Sequence, residues 1–100
     1  MAKLTIVYWR DIPAQVIVAA GRKNAKRQLT SRFPEAIDRA AMRAGAHGSD
    51  AYLADWRRGE PSPCGDDIET EAEAAILRLA AEYDDERLGR LVRAGGREET

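Results

Sequence analysis

Two short runs carry the side chains best suited to recognition chemistry, Trp9-Arg10-Asp11 and Trp56-Arg57-Arg58. An arginine beside a tryptophan offers a planar, permanently charged fork next to a flat apolar ring. That combination suits carboxylate or phosphate groups and is enriched at interface hot spots. If both runs belong to one sheet, two indoles and three guanidinium groups share a patch, and Trp9, Arg10, Asp11, Trp56, Arg57 and Arg58 form the expected partner-binding surface. The competing expectation is plain packing, with both rings closing the edge of the core and the arginines paired to Asp11 and Asp55. On the first expectation, replacing Arg10 and Arg57 by alanine abolishes partner binding and leaves the thermal midpoint nearly unchanged.

A second candidate is Gly21-Arg22-Lys23-Asn24-Ala25-Lys26-Arg27. Read as a passage from strand to helix, it sets Arg22, Lys23, Lys26 and Arg27 in the first two helical turns, where they oppose the dipole and repel one another at i,i+4. A bound anion would offset them, as would the acidic stretch from Asp66 to Glu73 or solvation alone. The Gly-x-x-x-x-Gly-Lys pattern of a nucleotide-binding loop is missing. Cys64 stands just ahead of a helix, a place that can lower a thiol pKa, but Asp66 and Asp67 push the other way. His47 is the lone histidine, in a glycine-rich connection, so a Cys/His nucleophile pair would need two distant loops to meet. One Cys and one His fall short of the four ligands of structural zinc. Carboxylates cluster at Asp66-Asp67, Glu69-Glu71-Glu73 and Asp84-Asp85-Glu86, where helix starts explain them more simply than acid–base catalysis. No catalytic set or cofactor site can be read from these residues.

The elements that must position these groups follow from periodicity. Leu4, Ile6 and Tyr8 alternate with Thr5, Val7 and Trp9 as a strand, and Pro13 turns the chain so that Gln15 to Ala20 returns as its partner. Ala25, Leu29 and Phe33 recur every four residues and predict a short basic helix from Arg22. Ile37, Ala40, Ala41 and Ala44 predict the next, with Pro34 in its first turn and Gly45 as its stop. Residues 49 to 58 read best as a strand, because Tyr52, Ala54 and Trp56 alternate, although Leu53 and Trp56 also lie three apart on a helix. Residues 59 to 65 are loop-like in composition. Ile68, Ala72, Ala75, Ile76, Leu79, Ala80 and Tyr83 predict a long helix, with a Thr70 to Glu73 capping box if it starts late, and Asp84-Asp85-Glu86 opens another anchored by Leu88, Leu91 and Val92. The sum is an α+β fold, a small antiparallel sheet of two or three strands covered on one face by three or four helices. Residues 1–94 form one domain and residues 95–100 a flexible tail.

Composition narrows the function classes. At 100 residues, 44% hydrophobic and 33% charged, with a net charge of −1, the chain has no overall pull toward nucleic acid or membrane. The charge is divided, however: residues 1–58 hold eleven Lys/Arg against five Asp/Glu, and residues 59–100 hold five against twelve. The plain account has the basic part packing near the acidic one. A single cysteine excludes an internal disulfide, no apolar run is long enough to span a membrane, and the first residues lack a secretory pattern. A cytoplasmic location is expected. The basic segment is too short, and too poor in interleaved aromatic residues, for nucleic acid.

With Tyr8-Trp9-Arg10-Asp11-Ile12-Pro13-Ala14-Gln15-Val16, Gly21-Arg22, Ala36-Ile37-Asp38, Ala40-Ala41-Met42, Asp50-Ala51-Tyr52-Leu53 and Trp56-Arg57, the chain resembles the small bacterial domain labelled "virulence factor". The resemblance covers residues 4 to about 95 and is most specific in the Trp-Arg-Asp-Ile-Pro-Ala-Gln stretch. In conserved virulence factor C proteins a similar domain is joined to an Nfu/NifU-type scaffold domain and HEAT-like repeats, both absent from this chain. That context implies an adaptor that binds another protein rather than an enzyme, and brings no established reaction, cofactor or catalytic residue. Stand-alone relatives carry an association with one-carbon and methyl-transfer genes. The alternative it implies is an accessory subunit of a one-carbon or corrinoid methyl-transfer system, with Arg22 to Arg27 holding a small anionic ligand.

Overall fold

The β-branched and aromatic run that opens the chain forms the centre of an antiparallel sheet. In the computed structural model, residues 2–46, 48 and 50–97 are described. β1 (Ala2–Trp9) pairs with β2 (Ile12–Ala20) through a two-residue turn at Arg10-Asp11. Pro13 lies inside β2, and the pairing accommodates it by a bulge. The register passes from Val7 opposite Gln15 to Tyr8 opposite Pro13, so Ala14 has no opposite number. Its carbonyl instead accepts a hydrogen bond from the Leu29 amide at 3.1 Å.

The basic segment expected as a helix is a strand. β3 (Lys23–Gln28) folds back on β2 through a turn at Gly21-Arg22, with Ala20 opposite Lys23 and Gln15 opposite Gln28. The reason is electrostatic as well as geometric. A helix would stack Arg22 on Lys26 and Lys23 on Arg27, whereas in a strand residues four apart are about 13 Å from one another. The four-residue recurrence of Ala25, Leu29 and Phe33 does mark three buried residues, but they reach the core from a strand, a connection and a helix start.

α1 (Arg32–Arg43) buries Phe33, Ala36, Ile37, Ala40 and Ala41, with Pro34 in its first turn as expected. Residues 50–58 divide between both expectations: α2 (Asp50–Ala54) is a short helix, and β4 (Trp56–Arg58) is a strand beside the end of β1. The loop-like segment after it holds β5 (Ser62–Cys64), paired with the beginning of β1. Between β4 and β5 the Gly59 amide donates to the Ile6 carbonyl at 2.8 Å, and a Cβ at Gly59 would stand 3.1 Å from the Tyr8 ring. The sheet thus has five strands, ordered β3-β2-β1-β4 with β5 also on β1, instead of the two or three expected.

α3 (Ile68–Glu82) starts at Asp67, whose carboxylate caps the Thr70 amide, so the later Thr70 start is not used. It lies across β2 and β3, its buried Ala72, Ala75 and Leu79 facing the buried Leu4, Val16, Val18 and Ala25. α4 (Asp85–Arg93) is capped by Asp84, as expected, and packs on α1. The basic and acidic parts of the chain do meet. Arg27 pairs with Glu69 and with Glu73 (2.9 Å), and Arg32 pairs with Asp85 (3.0 Å) while donating to the last carbonyls of α3.

Beyond α4 the chain does not leave the fold at residue 95. The Gly95 and Gly96 amides donate to the Val92 and Leu91 carbonyls, a closing motif that needs the positive φ both glycines show. Both are buried, and their carbonyls receive bonds from the β1–β2 turn. The packed unit therefore extends past residue 94, the boundary expected from sequence. Residues 98–100 lie outside the described residues. Among the described residues no helix is long and apolar enough to cross a membrane.

Candidate functional site

Registered pairing of β1 with β4 brings the two Trp/Arg runs together, Trp9 opposite Trp56 and Tyr8 opposite Arg57. The juxtaposition expected from sequence is present, but its members are not equivalent. Trp9 is fully buried and donates its indole N–H to the Tyr52 carbonyl at 2.8 Å. Arg10 adopts φ +54°, a left-handed conformation that costs a non-glycine residue about 1 kcal/mol. Its amide donates to the Asp55 carbonyl (3.1 Å), its Nε to Asp55 Oδ2 (2.9 Å) and its Nη1 to the Gly95 carbonyl (2.8 Å). Its carbonyl accepts from Arg57 Nε, and its guanidinium lies 4.7 Å from the Trp9 ring centroid. Arg10 is thereby a stitch joining the hairpin turn, the α2–β4 junction and the end of α4.

The ion pairs of the competing account are present and Trp9 closes the core, while Trp56 is only half-buried. Arg10 pairs with Asp55, and Arg57 pairs with Asp11 at 3.2 Å while stacking over Tyr8 at 4.5 Å. The exposures separate the two arginines: the Arg10 side chain is 14% exposed and that of Arg57 is 50%. With these bonds, Arg10→Ala is expected to lower the thermal midpoint, whereas the expectation attached to the Arg10/Arg57 pair is a midpoint nearly unchanged. The surface the cluster offers consists of half-buried Trp56, exposed Arg57 and Arg58, and the flank of Asp11.

The four cations from Arg22 to Arg27 do not converge. Lys23 and Arg27 stand opposite Ala20 and Val16, on the face that α3 covers, where Arg27 is occupied by Glu69 and Glu73. Lys26 stands opposite Ile17, on the other face, and Arg22 is in the turn. There is no helix start here for an anion to cap.

Cys64 is in β5, opposite Ala2. Burial, then the carboxylates of Glu71 and Asp66, push its thiol above the ordinary range, the reverse of what an activated nucleophile needs. His47 lies outside the described residues, so a Cys64/His47 pairing does too. Among the described residues, no three His, Cys, Asp or Glu side chains gather as metal ligands.

Sequence reasoning missed the sheet's second face. Opposite the side covered by α3, the registers align Asn24-Ala19-Lys3-Pro63, then Lys26-Ile17-Thr5, then Gln28-Gln15-Val7-Arg58. None of these residues is buried, and none is acidic. The alternation of Thr5 and Val7 with Leu4 and Ile6 contained part of this signal, but the mistaken helix at β3 hid the remainder. At the hairpin-tip end this face runs into a cleft of about 220 Å³, walled by Tyr52 and Trp56, with Gln15, Gln28, Ile37 and Asp38 around it.

No curated protein and no solved structure matches the chain. The sequence profile of the family described as "Virulence factor" matches residues 7–92, which takes in the hairpin tip, β4, α1 to α3 and all but the last residue of α4. The chain is a member of the virulence factor family.

Proposed function

We propose that this domain is a protein-binding adaptor whose contact surface is the uncovered sheet face together with the β4 strand beside it. One observation carries the reading. A five-stranded sheet has one face covered by α3 and the other left without a buried residue along Lys3, Thr5, Val7, Gln15, Ile17, Ala19 and β3's outward positions. That face offers Thr5, Val7 and Ile17 as a half-buried strip, Trp56 at one end, and Lys3, Lys26 and Arg58 around it with no registered carboxylate. Apolar centre, aromatic anchor and basic, solvent-exposed rim suit a contact surface, and the charge selects a partner with an acidic face.

The test is affinity purification of the tagged chain from its native cell beside an Ile17→Asp/Arg58→Glu variant whose fold is checked by circular dichroism. A partner kept by the wild type, released by raised salt and lost by the folded variant supports the reading. A partner retained by the variant, or none with either protein, overturns it. The ligand-binding alternative has no observation in its favour, because its four cations are dispersed over both sheet faces and a turn.

A further inference from the structure

Aromatic rings in this fold are habitually covered by arginine. Of six aromatic residues, four carry a guanidinium within about 5 Å of the ring centroid: Arg57 on Tyr8, Arg10 on Trp9, Arg32 on Phe33 and Arg87 on Tyr83. Among the described residues, the two rings without one are Tyr52 and Trp56, and these two wall the same cleft. Their planes stand at 87° with centroids 6.1 Å apart, so they form a corner. The cleft contains one charged residue, Asp38, which has no ion pair among the described residues, and no Lys or Arg lines it. Gln15 and Gln28 add two side-chain amides that make no hydrogen bond among the described residues.

We propose that this cleft is a binding site for an organic cation, an alkylammonium or guanidinium head on a short apolar stem. The rings supply a negative π face to the cation and apolar surface to the stem, Asp38 supplies the counter-charge, and the glutamine oxygens accept the remaining N–H groups. At about 220 Å³ the space is below that of a drug-sized ligand and matches a single side chain or a small amine. Where the cation is a lysine or arginine side chain of a bound protein, the site deepens the adaptor reading and rests on it. Where it is a free amine, it does not.

The experiment titrates the whole chain with blocked lysine (Nα-acetyl-lysine amide), blocked arginine, n-butylammonium and the neutral isostere blocked norleucine. The readouts are the Trp56 indole N–H and the Gln15 and Gln28 side-chain amide signals by NMR. The expected result is saturable shifts of these signals with the cations and none with norleucine. Asp38→Asn should weaken cation binding about fivefold, and Trp56→Leu should remove it. Blocked lysine binding more tightly than n-butylammonium assigns the site to a protein side chain, and equal binding assigns it to a free amine. Shifts with norleucine as large as with the cations, or none with any cation, overturn the proposal. Because the probes are small molecules, this outcome is independent of whether a protein partner is captured, so either reading can fail alone.

Discussion

The hairpin tip and the Tyr52/Trp56 cleft each set a tryptophan near an aspartate and are in opposite states. At the tip, Trp9 is sealed, Arg10 has its amide, its carbonyl and two guanidinium nitrogens engaged, and Asp11 holds both Gly96 and Arg57. At the cleft, two rings stand without a cation, and Asp38 is an exposed carboxylate on α1. A tryptophan beside arginine and aspartate therefore does not by itself mark a working surface. What separates the two regions is whether the rest of the chain supplies the counter-groups: it does at the tip, from Asp55 and Gly95, and at the cleft it leaves them to a ligand.

If the tip is the structural knot, substitutions there carry the largest stability losses. Trp9→Ala removes a fully buried indole and its bond to Tyr52, and should cost about 3–5 kcal/mol. Set against the ~5–15 kcal/mol that holds a domain of this size, that is a large fraction of the stability, and at the lower end of the range it approaches the whole. Urea denaturation monitored by circular dichroism checks it. A midpoint close to the wild type's would dissolve the distinction between the two regions. Gly96→Ala comes next, at about 3 kcal/mol: its Cβ would stand 2.7 Å from Trp9 Cζ3, and its φ of +93° disfavours any side chain.

Arg10 sharpens the comparison, because its contribution has two parts of opposite sign. Arg10→Ala loses the bonds to Asp55 and Gly95 but keeps a side chain at φ +54°, and should cost about 2 kcal/mol. Arg10→Gly loses the same bonds and relieves the backbone, so it should be the more stable of the two by about 1 kcal/mol. Thermal midpoints of the pair read the difference directly. Equal midpoints would mean that the turn carries no strain and that Arg10 acts through its side chain alone.

What could be read from the sequence follows the range of the interactions concerned. The hairpin, the α1 stripe and the helix starts at Asp67 and Asp84 depend on residues a few positions apart, and their signals are local. β3 was misread because Ala25, Leu29 and Phe33 satisfy a helical spacing, while the turn at Gly21-Arg22 that makes it a strand becomes compelling only against β2. The approach of Trp9 to Trp56 could be anticipated from their similar surroundings. The fate of Arg10 could not, since its partners Asp55 and Gly95 lie 45 and 85 positions away. The cleft was illegible for the same reason, as it gathers residues from β2, β3, α1, α2 and β4.

The smallest expected effect decides whether the second sheet face is truly open. Val16 and Ile17 are neighbours in β2, and strand alternation sends them to opposite faces: Val16 is fully buried beneath α3, whereas Ile17 is half-buried beside Thr5 and Lys26. Threonine keeps the branched shape that suits a strand, so exchanging either residue mainly tests its surroundings. Val16→Thr places a hydroxyl where no partner awaits it and should cost about 1–3 kcal/mol. Ile17→Thr leaves its hydroxyl reachable by water and should stay within about 0.5 kcal/mol of the wild type. Denaturation of the two variants side by side should therefore give clearly separated midpoints. Coincident losses would mean that Ile17 is covered in solution as Val16 is, and the uncovered face would no longer be available to a partner.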